Sequence, residues 1–294
     1  MNGLSEVSDA RPTVRTGPIV IVADRDPGGR RPIVDVVLAY APDATVIEIA
    51  SGAAFVDATL RRKPTLVFVG LQLDDVSGPE AVALARKSGG VIPCLILVAT
   101  RVFPQWQDIA QSLGAYEVLK KPFDPRHIAS LLDANTRRHQ PTPVLLASSS
   151  ATVRGLVARV LAGSGFNLDI DETNTGHHAL SLLRAGSYPI AFLDVGLADI
   201  DGLEIACQAQ ELGVGTKLTL LTAGDSEPVA KAARYFGVSF VLRMPFYPRD
   251  IDLALHHALD LRRPYLLNAL TAPPAPTALV QVGPPPVRRL PLPV

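Results

Sequence analysis

Short apolar runs, separated by longer amphipathic stretches, recur along the whole chain. The candidate strands are Ile19–Val22, Val46–Ile49, Leu66–Val69, Leu95–Val98, Val118–Leu119, Val144–Ala147, Leu168–Ile170, Ile190–Leu193, Leu218–Leu221 and Val241–Leu242. Most of these runs are continuously apolar, which is typical of parallel strands buried on both faces. The intervening stretches, such as Val153–Leu161, read as helices. The pattern therefore predicts doubly wound α/β sheets, in which helices connect parallel strands.

The two halves of the chain repeat each other. The segment GAYEVLKKPFDPRHI from Gly114 aligns without a gap with GVSFVLRMPFYPRDI from Gly237. Upstream, VFVGLQLDDVSGPE lies opposite AFLDVGLADIDGLE, and PIVIVADRD lies opposite PVLLASSS. Matches in the same order predict two copies of one complete small domain, here called unit one and unit two. Gly114 and Gly237 each stand where a helix end favours a left-handed residue.

Composition sets the expected domain boundaries. The stretch that joins the units is polar, basic and contains proline, whereas the C-terminal stretch is rich in proline and lacks periodicity. Within that last stretch, LVQV at Leu279–Val282 is the part that could pack on the domains. The predicted segments are a disordered N-terminus 1–16, unit one 17–135, a linker 136–142, unit two 143–263 and a disordered tail 264–294.

Charge and cysteine content narrow the class of protein. The chain has 28 basic and 28 acidic residues, so no overall field would attract nucleic acid or an anionic membrane. No apolar run approaches the length of a membrane span, and the polar N-terminus lacks the core of a signal peptide. Cys94 and Cys207 are expected to be buried thiols rather than a disulfide or zinc site. We therefore expect a soluble cytoplasmic protein.

Four blocks give the repeat a family resemblance. In unit two, FNLDIDETNTGHHAL, FLDVGLADIDGLE, LTAG and RMPF follow one another in the order of the conserved blocks of CheY-like receiver domains of two-component response regulators. Unit one resembles the same family through IVIVADRD, the Ser77-Gly78 turn and LKKPF. The resemblance implies two flavodoxin-like folds in tandem, each a doubly wound parallel sheet with strand order 2-1-3-4-5 and a functional crevice at the carboxyl ends of the strands.

The resemblance also implies a chemistry and a set of partners. In the family an aspartate accepts a phosphoryl group from a phosphohistidine, and two acids after the first strand help it to hold Mg²⁺. A lysine adds positive charge, and a threonine or serine hydroxyl couples phosphorylation to helix movement. The implied partners are a histidine kinase or phosphotransfer protein, a downstream protein, and a second copy through the fourth helix, fifth strand and fifth helix. No enzyme or DNA-binding output domain is expected.

Unit two keeps part of this site. Asp194 matches the phospho-acceptor, Thr222 the switch hydroxyl and Gly196 the metal-ligating carbonyl. Neutral residues replace the acidic pair and the lysine, namely Ser148, Ser149 and Met244. A lone carboxylate holds Mg²⁺ weakly, because the ion gives up its hydration water reluctantly. We therefore expect weak metal binding and slow phosphorylation at Asp194.

Unit one keeps a different part. Asp24 and Lys121 remain, but Gly70 replaces the acceptor, Ala23 replaces one acid and Val98 replaces the hydroxyl residue. Glycine has no nucleophile, so unit one resembles a pseudo-receiver. Asp24 and Lys121 are expected to form an ion pair left from the lost site.

The sequence leaves open how the protein acts. It is a response regulator phosphorylated on Asp194, a phosphorylation-independent scaffold of two pseudo-receivers, or an α/β enzyme or nucleotide-binding protein. No G-x-G-x-x-G or phosphate-loop lysine motif follows a first strand, and no nucleophile–base constellation is present, so we expect no enzyme. Modification of Asp194 by a phosphodonor would separate the first two interpretations.

Overall fold

The computed structural model describes residues 17–101, 105–186, 188–262 and 279–282. The chain divides into two compact units, Met1–Leu132 and Asp133–Val294. The N-terminal stretch 1–16, predicted to be disordered, lies outside the described residues. Each unit is a predominantly parallel sheet whose strands alternate with helices along the chain, as the apolar pattern predicts.

Unit one is built on a five-stranded parallel sheet with the order β2-β1-β3-β4-β5, so the predicted strand order is confirmed. The apolar runs explain this arrangement, because β3 and β4 are buried along their whole length. The elements are β1 (Ile19–Ala23), α1 (Pro27–Tyr40), β2 (Thr45–Ile49), α2 (Gly52–Arg62), β3 (Leu66–Gly70), α3 (Gly78–Lys87), β4 (Leu95–Ala99), α4 (Gln105–Ser112), β5 (Glu117–Lys120) and α5 (Pro125–His139).

Unit two repeats this topology and adds one strand, giving the order β11-β10-β9-β8-β6-β7. Its first five strands in sequence pair in parallel in the predicted order 2-1-3-4-5. The elements are β6 (Thr142–Ala147), α6 (Ala151–Ala162), β7 (Leu168–Thr173), α7 (Gly176–Arg184), β8 (Ile190–Asp194), α8 (Gly202–Glu211), β9 (Lys217–Thr222), α9 (Ser226–Ala233), β10 (Val238–Arg243), α10 (Pro248–Ala258) and β11 (Leu279–Gln281).

Both glycines predicted near helix ends are left-handed. Gly114 lies two residues after α4 with φ of 54°, and Gly237 closes the turn that follows α9, with φ of 66°. A side chain at either position would meet the steric cost of the left-handed region, which glycine avoids. These two residues therefore fix the direction in which the chain enters β5 and β10.

The predicted linker 136–142 is mostly regular structure, which corrects the expectation from composition. Helix α5 continues to His139, and β6 begins at Thr142. Arg137 pairs with Asp133 one turn earlier at 3.1 Å, and the basic last turn suits the negative end of the helix dipole. The polar, basic stretch is thus the exposed end of a helix. Pro141 lies just beyond that end, where proline no longer interrupts helical hydrogen bonds.

The tail 264–294 was predicted to be disordered, and this is wrong for its one described part. Strand β11 pairs antiparallel with β10, and the amide of Val282 donates to the carbonyl of Ser239 at 3.0 Å. Leu279 is buried, while Val280 and Val282 pack against the core of unit two. The edge of β10 offers unpaired backbone groups, which explains why a three-residue strand forms there. The rest of the tail lies outside the described residues.

Two further findings concern the class of protein. No helix in the described ranges is long and apolar enough to cross a membrane. Cys94 is buried, Cys207 is half-buried, and neither forms a disulfide. Burial and the neighbouring carboxylates of Glu211 and Glu204 raise the pKa of the Cys207 thiol.

Candidate functional site

The two units hold the carboxyl edges of their sheets with the same backbone anchor. In unit one, Arg30 Nη1 donates to the carbonyl of Asp24 at 2.5 Å. In unit two, Arg154 Nη1 donates to the carbonyl of Ser148 at 2.6 Å. Each guanidinium also pairs through Nε with a glutamate on the neighbouring strand, Glu48 at 3.0 Å or Glu172 at 3.2 Å. Asp24 and Ser148 therefore occupy equivalent positions, directly after β1 and β6.

This equivalence corrects the position assigned to the second acid in unit one. Ala23 was predicted to replace it, but Ala23 lies buried within β1. Because Asp24 matches Ser148, the residue that matches Ser149 is Arg25. The sequence ADRD allows two alignments, and the equal spacing from Asp24 to Arg30 and from Ser148 to Arg154 is the signal that decides between them. A cation thus stands where the family has an acid.

The predicted ion pair of unit one is present. Lys121 Nζ donates to Asp24 Oδ2 at 2.7 Å, and the two side chains are 22% and 11% exposed. The other carboxylate oxygen of Asp24 accepts from the amide of Asp26 at 2.9 Å. Each charge of this pair is therefore neutralised within unit one, and little of it faces water.

Two glycines make room for this pair. A Cβ atom on Gly70, at the end of β3, would lie 2.5 Å from Asp24 Oδ2. A Cβ atom on Gly29, in α1, would overlap Lys121 Nζ. Asp24 therefore fills the space that a side chain at the acceptor position would need, and Gly70 brings no nucleophile there.

In unit two a neutral donor holds the predicted acceptor. Ser148, which is fully buried, donates from Oγ to Asp194 Oδ2 at 2.6 Å. The amide of Gly196 donates to Asp194 Oδ1 at 3.0 Å. Asp194 ends β8 and is half-buried, so its carboxylate lies at the carboxyl edge of the sheet. Each oxygen of the carboxylate has one protein donor and keeps a lone pair for another contact.

The remaining predicted residues of unit two mainly form hydrogen bonds with backbone groups. The Oγ atom of Ser149 accepts from the amide of Ala198 at 2.9 Å, which ties it to the loop after β8. Thr222 is buried at the end of β9, and its Oγ accepts from the amide of Gly224 at 3.1 Å. Met244, at the lysine position, donates from its amide to the Thr222 carbonyl at 2.8 Å.

The side chains present do not fit a magnesium site. In the described part of the chain, no three His, Cys, Asp or Glu side chains are grouped so that they could hold a metal ion. Ser148 and Ser149 are neutral beside Asp194, and in unit one Asp24 is already paired with Lys121 next to Arg25. Mg²⁺ prefers several hard oxygen ligands, and carboxylates supply most of them in proteins. Neither edge therefore offers the set of oxygen ligands that Mg²⁺ prefers.

Aspartates in the loops after β3 and β8 were missed by the sequence reasoning. Asp199 accepts from the amides of Gly176 and His177 at 2.7 Å and 3.0 Å, and from His177 Nδ1 at 2.8 Å. These hydrogen bonds lower the pKa of Asp199 well below its ordinary value, and the bond from the amide of His177 has the largest effect. Asp75 accepts the two equivalent amides at the start of α2, and its pKa is also lowered. The repeat of an aspartate at the same place in both halves is the signal that could have found them.

The comparison with protein families agrees with this geometry. Residues 144–256 match the model of the response regulator receiver domain. Most of unit two thus matches the response regulator receiver domain, and both units have the doubly wound fold of CheY-like receiver domains, in tandem along the chain.

Relatives and solved structures extend this result. The chain is 30% identical over 123 residues to the response regulator MprA of Mycolicibacterium vanbaalenii, covering 42% of this chain and 52% of that protein. It is 28% identical over 122 residues to the transcriptional regulatory protein GlrR of Escherichia coli, covering 42% of this chain and 26% of that protein. The chain thus spans about half or less of these curated relatives.

Some solved structures cover most of this chain. One of them is a two-component system response regulator/GGDEF domain protein, with a TM-score of 0.58, 16% identity, and coverage of 83% of this chain and 98% of that chain. At this identity the likeness shows the fold alone.

Proposed function

We propose that this protein is a tandem-receiver response regulator of two-component phosphosignalling that acts by protein–protein contact. Asp194 is the proposed phospho-acceptor, a histidine kinase or phosphotransfer protein is the proposed donor, and a downstream protein receives the signal. The observation that carries the proposal is the position of Asp194, a half-buried carboxylate at the carboxyl edge of a receiver domain, held by Ser148 and Gly196. We propose a cytoplasmic location.

The proposed step is a direct displacement at phosphorus. One oxygen of the Asp194 carboxylate attacks the phosphoryl group of a phosphohistidine, the P–O bond forms as the P–N bond breaks, and the imidazole leaves with the bonding electrons. The hydroxyl of Ser148 is the donor already next to Asp194, at 2.6 Å from Oδ2, so it can donate to a phosphoryl oxygen. It carries no charge, and Met244 supplies none. Negative charge develops on the phosphoryl oxygens during transfer, and neither Ser148 nor Met244 stabilises it with a positive charge. Transfer is therefore expected to be slow.

The test is phosphotransfer to the full chain from a histidine kinase, and separately from acetyl phosphate, followed by peptide mass spectrometry. We expect slow labelling of Asp194 with little response to Mg²⁺. Asp194→Asn should abolish it, while Asp169→Asn, which removes an exposed carboxylate of β7, should not. Fast labelling that requires Mg²⁺ would restore an ordinary response regulator site and contradict the slow step proposed here.

A second candidate is a scaffold that binds its partners without phosphorylation. The observation that favours it is that both oxygens of Asp194 already have protein donors while the cation position holds Met244. In that case phosphodonors leave Asp194 unmodified, and Asp194→Asn binds a captured partner as tightly as the natural sequence does. Labelling at Asp194 combined with a change in partner affinity would exclude this alternative.

A further inference from the structure

A cavity of about 640 Å³ opens at the carboxyl edge of the sheet of unit one. Sites for small molecules typically measure about 300–1,000 Å³, so its size suits a compact organic ligand. It is lined by the ion pair of Asp24 and Lys121, by residues at and after the ends of β1, β3 and β4, and by α4. The family uses this edge for phosphorylation, but Gly70 has removed the nucleophile, so the space is available for another use.

The charges around this cavity favour an anion. Asp24 is neutralised by Lys121, and the carboxylate of Asp26 accepts from the amide of Gly28 at the start of α1. Two arginines, Arg25 and Arg101, also line the cavity, and both are exposed. Arginine presents a planar fork of N–H donors that matches phosphate and carboxylate oxygens. The cavity therefore holds more positive than negative charge at the position where an ordinary receiver binds a cation.

The same cavity also presents an apolar surface. Trp106 on α4 is partly buried and lines it together with Leu71 and Val98. An indole ring stacks well on another flat ring and also on a guanidinium. Gln72, Ser77 and Thr100 add polar groups along the wall, which suit the edges of a base or the hydroxyls of a sugar.

We propose that this cavity binds a nucleoside phosphate, with the phosphate on Arg25 and Arg101 and the base against Trp106. No glycine-rich phosphate loop is needed, because side-chain guanidinium groups take the place of backbone amides. Unit one would then be a ligand-binding module on a receiver fold. The proposal concerns unit one alone, so it does not depend on whether Asp194 is phosphorylated.

The test uses the single tryptophan of the chain as its reporter. We titrate the full chain with GMP and AMP, follow the fluorescence of Trp106, and repeat the titration by calorimetry so that Trp106→Ala can be included. We expect a saturable change, with guanosine, adenosine and inorganic phosphate each binding far more weakly than the nucleotides. Arg25→Ser, which installs the residue of unit two, and Arg101→Ala should each weaken binding roughly tenfold or more, as expected for a lost hydrogen bond to a charged group.

The control is Arg61→Ala, which removes an exposed arginine of α2 that pairs with Asp57 and lies outside the cavity lining. It should leave binding unchanged. Arg25→Lys keeps the charge without the fork, so it should bind between the natural sequence and Arg25→Ser, and circular dichroism checks that each variant is folded. Absence of saturable binding, equal binding by inorganic phosphate alone, or unchanged affinity in both arginine variants would overturn the proposal.

Discussion

Directly after β1 in unit one, Asp24 accepts a hydrogen bond from Lys121 at 2.7 Å, whereas directly after β6 in unit two, Ser148 donates one to Asp194 at 2.6 Å. The backbone is the same in both places, since an arginine of the next helix binds the carbonyl of Asp24 or Ser148. At the predicted site positions, unit one has an acid and a lysine but a glycine in place of the acceptor. Unit two has Asp194 at the predicted acceptor position but neutral residues in place of the acids and the lysine.

The comparison shows that the fold does not depend on the completeness of the site. Each unit has its own apolar core beneath the edge where the site lies. The anchors at that edge are Arg30 and Asp75 in unit one and Arg154 and Asp199 in unit two, and none of them occupies a predicted acceptor, acid or lysine position. Residues at the site can therefore be exchanged as long as each charged group in the new set has an ion-pair or hydrogen-bond partner.

The largest effect is expected from replacing one member of the Asp24–Lys121 ion pair of unit one. Lys121→Met installs the residue of unit two and leaves the buried Asp24 carboxylate without its cation, which should cost about 2–3 kcal/mol of unfolding free energy. The double change Lys121→Met with Asp24→Ser should recover much of that loss, because a neutral hydroxyl needs no cation. Urea unfolding of the single and double variants measures both effects, and a double variant as unstable as Lys121→Met would contradict this account.

A smaller effect should follow from filling the space at Gly70. Gly70→Ala places a Cβ atom 2.5 Å from Asp24 Oδ2, and the overpacking should cost about 1–3 kcal/mol. The matched control is Gly196→Ala in unit two, where the nearest atom, Asp194 Oδ1, is 3.7 Å away. That variant should unfold within about 0.5 kcal/mol of the natural chain. Equal denaturation midpoints for the two variants would show that Asp24 does not need the space.

The units also differ at the sheet edge, where β11 pairs with β10 in unit two. Leu279→Asp puts a charge at a buried position and should release β11, with a loss of about 1–2 kcal/mol and self-association through the exposed edge. Gln281→Asp, at an exposed position of the same strand, should change neither stability nor oligomeric state. Thermal melting and light scattering test this, and identical behaviour of the two variants would mean that β11 contributes nothing.

The smallest expected effect is the dependence of stability on pH through Asp199. The pKa of Asp199 is lowered in the folded state, chiefly by the amides of His177 and Gly176. A lowered folded pKa gives stability that is present above the ordinary pKa of 3.8 and is lost as the pH falls through the folded value. Asp199→Asn should therefore unfold more easily than the natural chain at pH 7, and this difference should shrink on acidification below about pH 4. A difference in urea midpoints that stays constant with pH would argue against this role.

Sequence reasoning succeeded where one physical signal dominated. Continuous apolar runs identified the parallel strands, and the resemblance to CheY-like receiver domains supplied their order. The missed features each had a competing explanation. Arg25 could not be assigned from ADRD alone, because the alignment also requires that Arg30 and Arg154 be recognised as equivalent, which their hydrogen bonds to the carbonyls of Asp24 and Ser148 show. Strand β11 is three residues long within a proline-rich stretch, so no periodicity reveals it, and its partner β10 lies far away in the sequence.

Glycine and aspartate codons can differ by a single base, so one mutation is enough to place a carboxylate at residue 70. The position of Asp24 closes that route, because its carboxylate occupies the space into which a new side chain at residue 70 would grow. A restored aspartate would also bring a second negative charge against a carboxylate whose lysine is already engaged. An aspartate at residue 70 would therefore fit only if its neighbours, Asp24 first, had changed before it.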